Sequence, residues 1–239
     1  MGILIQMLFF VVILTDMFTG VVEHAVNIGY ENTVNRNRKG AKILAKTQRI
    51  EKADIELFPT CSYDLETTGL QGDFGYLLVG GIKPFGRPER IFRIDEFPLY
   101  KKEPSNDRAL IAAFVAELVK YSIAISWNGV RFDMPFLMTR MIAHNMDIRP
   151  LSTIRQLDLI FAARYRMRLR SNSLAVVSEH LETVDKKTPL TGKVWAAAAA
   201  GDKEALGKIA THNIADLVVL EEVARRLIHV VDLKFTLIR

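Results

Sequence analysis

Beyond residue 54 the apolar and polar positions fall into short blocks whose repeat switches between two residues and roughly 3.6, the marks of strands and helices. Leu57 to Leu65 runs into the turn signal Thr67-Thr68-Gly69. Tyr76 to Ile82 and Arg90 to Ile94 follow as further strands, divided by Lys83-Pro84-Phe85-Gly86-Arg87-Pro88. These segments predict an antiparallel meander. Ser105-Asn106 then offers an N-cap for a helix whose apolar positions Leu110, Ile111, Phe114, Val115, Leu118 and Val119 recur at helical spacing. Ser122 to Trp127 reads as a short buried strand, Met134 to about His144 as a helix, and further helices follow Thr153. The run Ala196 to Ala200 reads as helix, with Gly201-Asp202 as its stop and the next N-cap. Strands first, then strands alternating with helices, predict a mixed sheet covered by helices.

Residues 1–54 break this pattern. Ile3 to Leu14 is apolar apart from Gln6, is closed by Asp16, and is shorter than the roughly 20 residues that span a bilayer. It has neither the basic n-region nor the small-residue cleavage site of a secretory signal. A packed helix, or a stretch ahead of the true start codon, is therefore expected before a membrane contact through residues 1–22. Arg36, Arg38, Lys39, Lys42, Lys46, Arg49 and Lys52 form a basic run opposed by Glu51, the pattern of a solvated face or linker. The folded domain is expected to begin near Ile55, dividing the chain into residues 1–54 and 55–239.

Composition narrows the classes. With 239 residues, 49% of them hydrophobic, the chain can bury the core of one α/β domain, and 25% charged residues exclude a disordered chain. A net charge of +5 and a pI near 9.3 suit a partner that carries phosphates. The lone cysteine, Cys61, excludes an intrachain disulfide framework and a Cys-based zinc site and agrees with a reducing, cytoplasmic compartment. Cys61 itself reads as a small buried hydrophobe. No Gly-rich phosphate loop, dinucleotide fingerprint or Cys/His zinc spacing is present.

The candidate chemistry lies in three acidic pieces. In Asp64-Leu65-Glu66 the two carboxylates project from the same face of a strand while Leu65 points into the opposite layer. Asp133 follows the turn dipeptide Asn128-Gly129, at the start of a helix whose free amides its carboxylate can cap, and at a strand end, where α/β sites are built. His212 and Asp216 stand one turn apart on a helix whose apolar stripe uses Leu220, Val223 and Leu227. An aspartate at the edge of such a stripe needs a partner, and a cation supplies one. His212 can accept a proton near neutral pH. Hard divalent cations need several oxygen ligands converging from separate elements, which is what these pieces offer. Trp127 and Phe132 read as core side chains rather than base-stacking platforms.

In this order, Tyr63-Asp64-Leu65-Glu66-Thr67-Thr68-Gly69-Leu70, Asn128-Gly129-Val130-Arg131-Phe132-Asp133 and His212-Asn213-Ile214-Ala215-Asp216 resemble the DEDD 3′-to-5′ exonucleases of the ribonuclease-H-like superfamily. They look most like the YprB-type branch, near the proofreading exonuclease domain of family B polymerases. The resemblance covers about Ile55 to the C-terminus. It implies an α/β fold with a mixed five-stranded sheet flanked by helices, preceded here by an extra N-terminal segment. It also implies two Mg²⁺ or Mn²⁺ ions about 4 Å apart, held by Asp64, Glu66, Asp133 and Asp216, with Asp64 bridging. The implied reaction is hydrolysis at the 3′ end of single-stranded DNA or RNA, without a nucleotide cofactor. The chain departs from the family at His212: it occupies the spacing of the tyrosine subclass, four residues before the last aspartate, whereas the histidine subclass uses five. General base, or a group that only orients a metal-activated water, are both open roles for it.

Asn128, Arg131 and Asp158 are candidate substrate contacts; Asp158 is matched by an aspartate of the polymerase-related branch that can orient the site, or it caps a helix. Arg164-Tyr165-Arg166-Met167-Arg168-Leu169-Arg170 makes a phosphate track if extended and a solvated surface if helical. Lys193 and Trp195 could meet a nucleotide, although core packing accounts for the tryptophan. The rival readings are a catalytically inactive nucleic-acid-binding module on the same fold and a scaffold resting on anionic lipid.

Overall fold

The computed structural model describes residues 55, 57–183, 190–228 and 236–237. The apolar stretch, the basic run and the membrane contact expected within residues 1–54 lie outside the described residues.

Five strands, β1 (Thr60–Thr67), β2 (Leu77–Pro84), β3 (Arg90–Arg93), β4 (Ile123–Ser126) and β5 (Arg155–Asp158), form a mixed sheet in the order β3-β2-β1-β4-β5. β1 to β3 are the expected antiparallel meander, and β4 and β5 continue parallel to β1. A two-residue strand, β6 (Thr236–Leu237), adds antiparallel to the outer edge of β5. β5 was not foreseen as a strand. Its Gln156 is polar yet buried, because its side-chain oxygen accepts the Tyr63 hydroxyl at 2.8 Å from the middle of the sheet.

The helices are α1 (Arg108–Leu118), α2 (Asp133–Ala143), α3 (Ile160–Arg166), α4 (Leu174–His180), α5 (Gly192–Ala199) and α6 (Lys203–Leu227). α6 begins at the expected N-cap, where Asp202 accepts the Ala205 amide at 2.7 Å. α1 begins later than Ser105-Asn106 implied. Asn106 accepts the Arg108 amide at 3.2 Å, and Asp107 turns inward, fully buried, to accept from the Leu77 amide, Arg140 and His144. That network ties β2, α1 and α2 together.

Gly80 and Gly81 let helices approach both faces of β2, since successive strand positions face opposite layers. A Cβ on Gly80 would sit 2.6 Å from the Phe114 ring of α1, and one on Gly81 would sit 1.8 Å from Asn213 Oδ1 of α6. α1 and α6 therefore cover opposite faces. Cys61, Tyr63 and Leu65 of β1 enter the main core with α1 and the first half of α6, while Ile123, Ile125 and Leu157 pack with Val219, Leu220 and Val223 in a second cluster. Trp195 packs against the main core.

Candidate functional site

The site is built where β1 outruns its parallel neighbour. β4 pairs with β1 only from Thr60 to Ser62, so the β1 edge is open at Leu65. Asp133 fills that opening: its Oδ1 accepts the Leu65 amide at 3.0 Å, between Asp64 and Glu66. This corrects its expected capping role, because Phe132 occupies the N-cap position and no side-chain cap bond is made there. Burial pushes the Asp133 carboxyl up to about 7, with the neighbouring Asp158 charge adding to the rise and the Leu65 amide opposing it.

Asp64 is held from the other side. It lies opposite Gly81 in the β1–β2 register, and across that side-chain-free position Asn213 of α6 reaches in. Asn213 Nδ2 donates to Asp64 Oδ2 at 2.9 Å and to the Asp64 carbonyl at 3.3 Å, and the residue is fully buried. Asp64 is thus bolted to the helix that carries His212 and Asp216. His212 Nε2 stands 3.7 Å from Asp216 Oδ2, and each side chain is about 10% exposed, so His212 is no surface residue. Glu66 is buried near the end of β1, beside a register shift between Glu66 and Thr67.

Asp64 and Asp216 line one cavity of about 460 Å³, together with Trp127, Asn128, Ile160 and the segment Ser171-Asn172-Ser173. Asn128 takes a left-handed backbone, φ 67°, at the mouth of the β4–α2 turn. The turn is shaped by Asp158, whose carboxylate accepts the amides of Asn128 at 2.8 Å, Ile160 at 3.1 Å and Val130 at 3.2 Å. Asp158 thus shapes the turn and, through the Ile160 amide, ties it to the first residue of α3, whose N-cap position is Leu159. Burial raises the Asp158 carboxyl, against the pull of those three amides and of Arg131. Arg131 is exposed, its guanidinium 6.0 Å from the Phe161 ring centroid. Trp127 is only part core: its Nε1 donates to the Asn172 carbonyl at 3.1 Å, and its ring lines the cavity.

Among the described residues, no three His, Cys, Asp or Glu side chains form a ready-made metal cluster. Asp64 and Asp133 instead use protein donors, as anions do when like charges would otherwise crowd. The donor set nonetheless fits a hard divalent cation: Asp64 and Asp216 reach one cavity, and the buried Asp133 carboxyl is held above its ordinary value despite the Leu65 amide and its own, which a cation would offset. The sequence reading missed Asn213 as a positioning residue and Ser171-Asn172-Ser173 as cavity wall. The Gly80-Gly81 pair was a signal for the first, marking a close approach to the strand.

The family model that matches this chain, described as RNase_H superfamily, covers residues 61–228. Among solved structures, a family B DNA polymerase from the hyperthermophilic archaeon Pyrobaculum calidifontis is similar, with a TM-score of 0.58 and 17% identity. The match takes in 71% of this chain and 24% of the polymerase, so the chain spans about a quarter of that protein's length. No curated protein matches the chain. Among the described residues, no helix is long and apolar enough to cross a membrane.

Proposed function

Because the chain belongs to the RNase_H superfamily, we propose that it is a metal-dependent nuclease, and specifically a 3′-to-5′ exonuclease acting on single-stranded nucleic acid. The observation that carries this reading is the cavity shared by Asp64 and Asp216, which lie far apart in the sequence while Asn213 ties Asp64 to the helix of Asp216.

In this reading Asp64, Glu66, Asp133 and Asp216 hold two Mg²⁺ or Mn²⁺ ions. Bound there, such ions lower the pKa of the attacking water and neutralise charge on the departing 3′ oxygen. The protein's part is to fix the anions before substrate arrives. Asn213 sets the rotamer of Asp64, the Leu65 amide sets that of Asp133, and Asp158 shapes the turn that carries Asn128 to the cavity. In this reading His212, whose Nε2 stands 3.7 Å from Asp216 Oδ2, accepts a proton from the attacking water or orients it.

The test is end-labelled single- and double-stranded DNA and RNA, incubated with Mg²⁺ or Mn²⁺. The proposal expects a ladder of single-nucleotide steps that vanishes in folded Asp64→Ala and Asp216→Ala variants. Near wild-type rates in either variant would remove it. The spacing of His212 permits a second reading, a binding module without turnover, against which the four carboxylates Asp64, Glu66, Asp133 and Asp216 count; it predicts retained binding and no nucleotide release under any metal.

A further inference from the structure

The chain leaves the cavity at Ile160 and returns to it at Ser171, and the excursion between is basic and aromatic. From residue 159 to residue 178 there are four arginines and no acidic residue. α3 sets Phe161 and Tyr165 one turn apart with rings parallel within 9° and centroids 6.4 Å apart. Tyr165 is 72% exposed, and Arg131 stands over Phe161 from the β4–α2 turn. At Met167 the backbone opens to an extended conformation, φ −118° and ψ 150°. Met167 and Leu169 then pack against the second core cluster, which leaves Arg166, Arg168 and Arg170 exposed on the alternate positions. Arg170 pairs with Glu179. The segment is helical to Arg166 and extended at Met167, so the backbone condition set for a phosphate track is met only where the helix ends. The Trp127 bond to the Asn172 carbonyl fixes the segment's return to the cavity wall.

We propose that this excursion is a binding track for single-stranded nucleic acid, with Tyr165, backed by the Phe161 ring, stacking on a base, Arg166 and Arg168 contacting phosphates, and Ser171-Asn172-Ser173 delivering the strand's end to the cavity. An exposed aromatic ring such as Tyr165 beside a line of cations is the recognition chemistry of unpaired strands, because a duplex keeps its bases stacked on one another. Stacking and phosphate contacts carry no base readout, so the track is indifferent to sequence. The destination of the strand rests on the nuclease reading; the binding does not.

The experiment uses the full chain carrying Asp64→Asn, in EDTA, and follows the anisotropy of a labelled single strand of about 20 nucleotides. Tyr165→Ala should weaken binding roughly fivefold to a hundredfold, with Tyr165→Trp restoring it. Arg168→Ala should weaken binding and flatten the dependence of log affinity on log salt by about 0.7, the share of one phosphate contact on a single strand. Both side chains are exposed, so the variants fold. Unchanged affinity in both alanine variants overturns the track. An equal loss on a hairpin duplex, or binding to phosphatidylserine vesicles in place of the oligonucleotide, overturns it too. Hydrolysis by the unsubstituted chain is scored separately. Track-dependent binding without nucleotide release supports the track and rejects the nuclease, whereas release with a KM untouched by Tyr165→Ala and Arg168→Ala does the reverse.

Discussion

Replacing Asn213 by alanine removes a side chain that ties the first acidic motif to the helix of the last. Two hydrogen bonds go with it, 2.9 Å to the Asp64 carboxylate and 3.3 Å to the Asp64 carbonyl, from a fully buried position. A hydrogen bond to a charged group contributes about 1.5–3 kcal/mol and the weaker neutral one about 0.5–1.5 kcal/mol, so a stability loss of about 2–4 kcal/mol is expected in urea denaturation. Function should suffer separately, because Asp64 regains rotamer freedom in front of the cavity. Loss of a partner that orients a metal-binding group typically costs about 10–100-fold in affinity or rate. The assay pairs nucleotide release with a Mg²⁺ titration of the thermal midpoint, which reads metal affinity even without turnover. We expect a lower kcat, a little-changed KM for a long single strand, and a Mg²⁺ midpoint raised at least tenfold. A variant that loses stability but keeps the wild-type kcat and Mg²⁺ midpoint would refute the positioning argument and leave Asn213 a packing residue.

Gly81→Ala should destabilise by at least about 1–3 kcal/mol, since its Cβ would lie 1.8 Å from Asn213 Oδ1 and 2.6 Å from Leu217 Cδ1, and urea midpoints will show it. Asp107→Asn should cost about 3 kcal/mol in the same assay, because it leaves Arg140 without its buried counter-charge; a change within about 0.5 kcal/mol would contradict the network described. Glu221 adds a pH-dependent contribution. Burial raises its carboxyl, but Lys83 at 2.9 Å, Arg225 and the Gly86 amide outweigh that and hold it below the usual carboxylate range. Its stabilisation is therefore present above the unfolded value near 4.3 and disappears as pH falls through the lower folded value. Glu221→Gln should cost about 1–3 kcal/mol at pH 7 and progressively less below about pH 4, and an equal cost at both ends would contradict the assignment.

The meander, α1, α2 and the long α6 were legible because their apolar positions repeat with the period of the element they form. The acidic motifs were legible because each is local: Asp64 and Glu66 are two apart on a strand, and His212 and Asp216 are four apart on a helix. What stayed hidden depends on partners distant in the chain. β5 is four residues, Arg-Gln-Leu-Asp, and Gln156 is buried there with its side-chain oxygen held by Tyr63, a partner far away in the sequence. Asn213 sat in plain view inside the last motif, yet its role needs Asp64 and the bare position at Gly81. Asp133 was read as a local feature of a helix start and Asp107 was passed over beside the cap signal Ser105-Asn106, while in the fold each carboxylate accepts a main-chain amide of a strand, Leu65 in β1 and Leu77 in β2. The change from helix to extended chain at Met167 carries no Gly or Pro to announce it; it follows from Met167 and Leu169 reaching the second core cluster.

The central claim is that Asp64 and Asp216 serve one divalent-metal site. Mn²⁺ titration followed by electron paramagnetic resonance tests it most directly. Two ions per chain should be taken up by the unsubstituted protein, and tight uptake should be lost in both Asp64→Ala and Asp216→Ala, each shown folded by circular dichroism. Uptake that is absent from the unsubstituted chain, or that survives intact in both variants, would contradict the account.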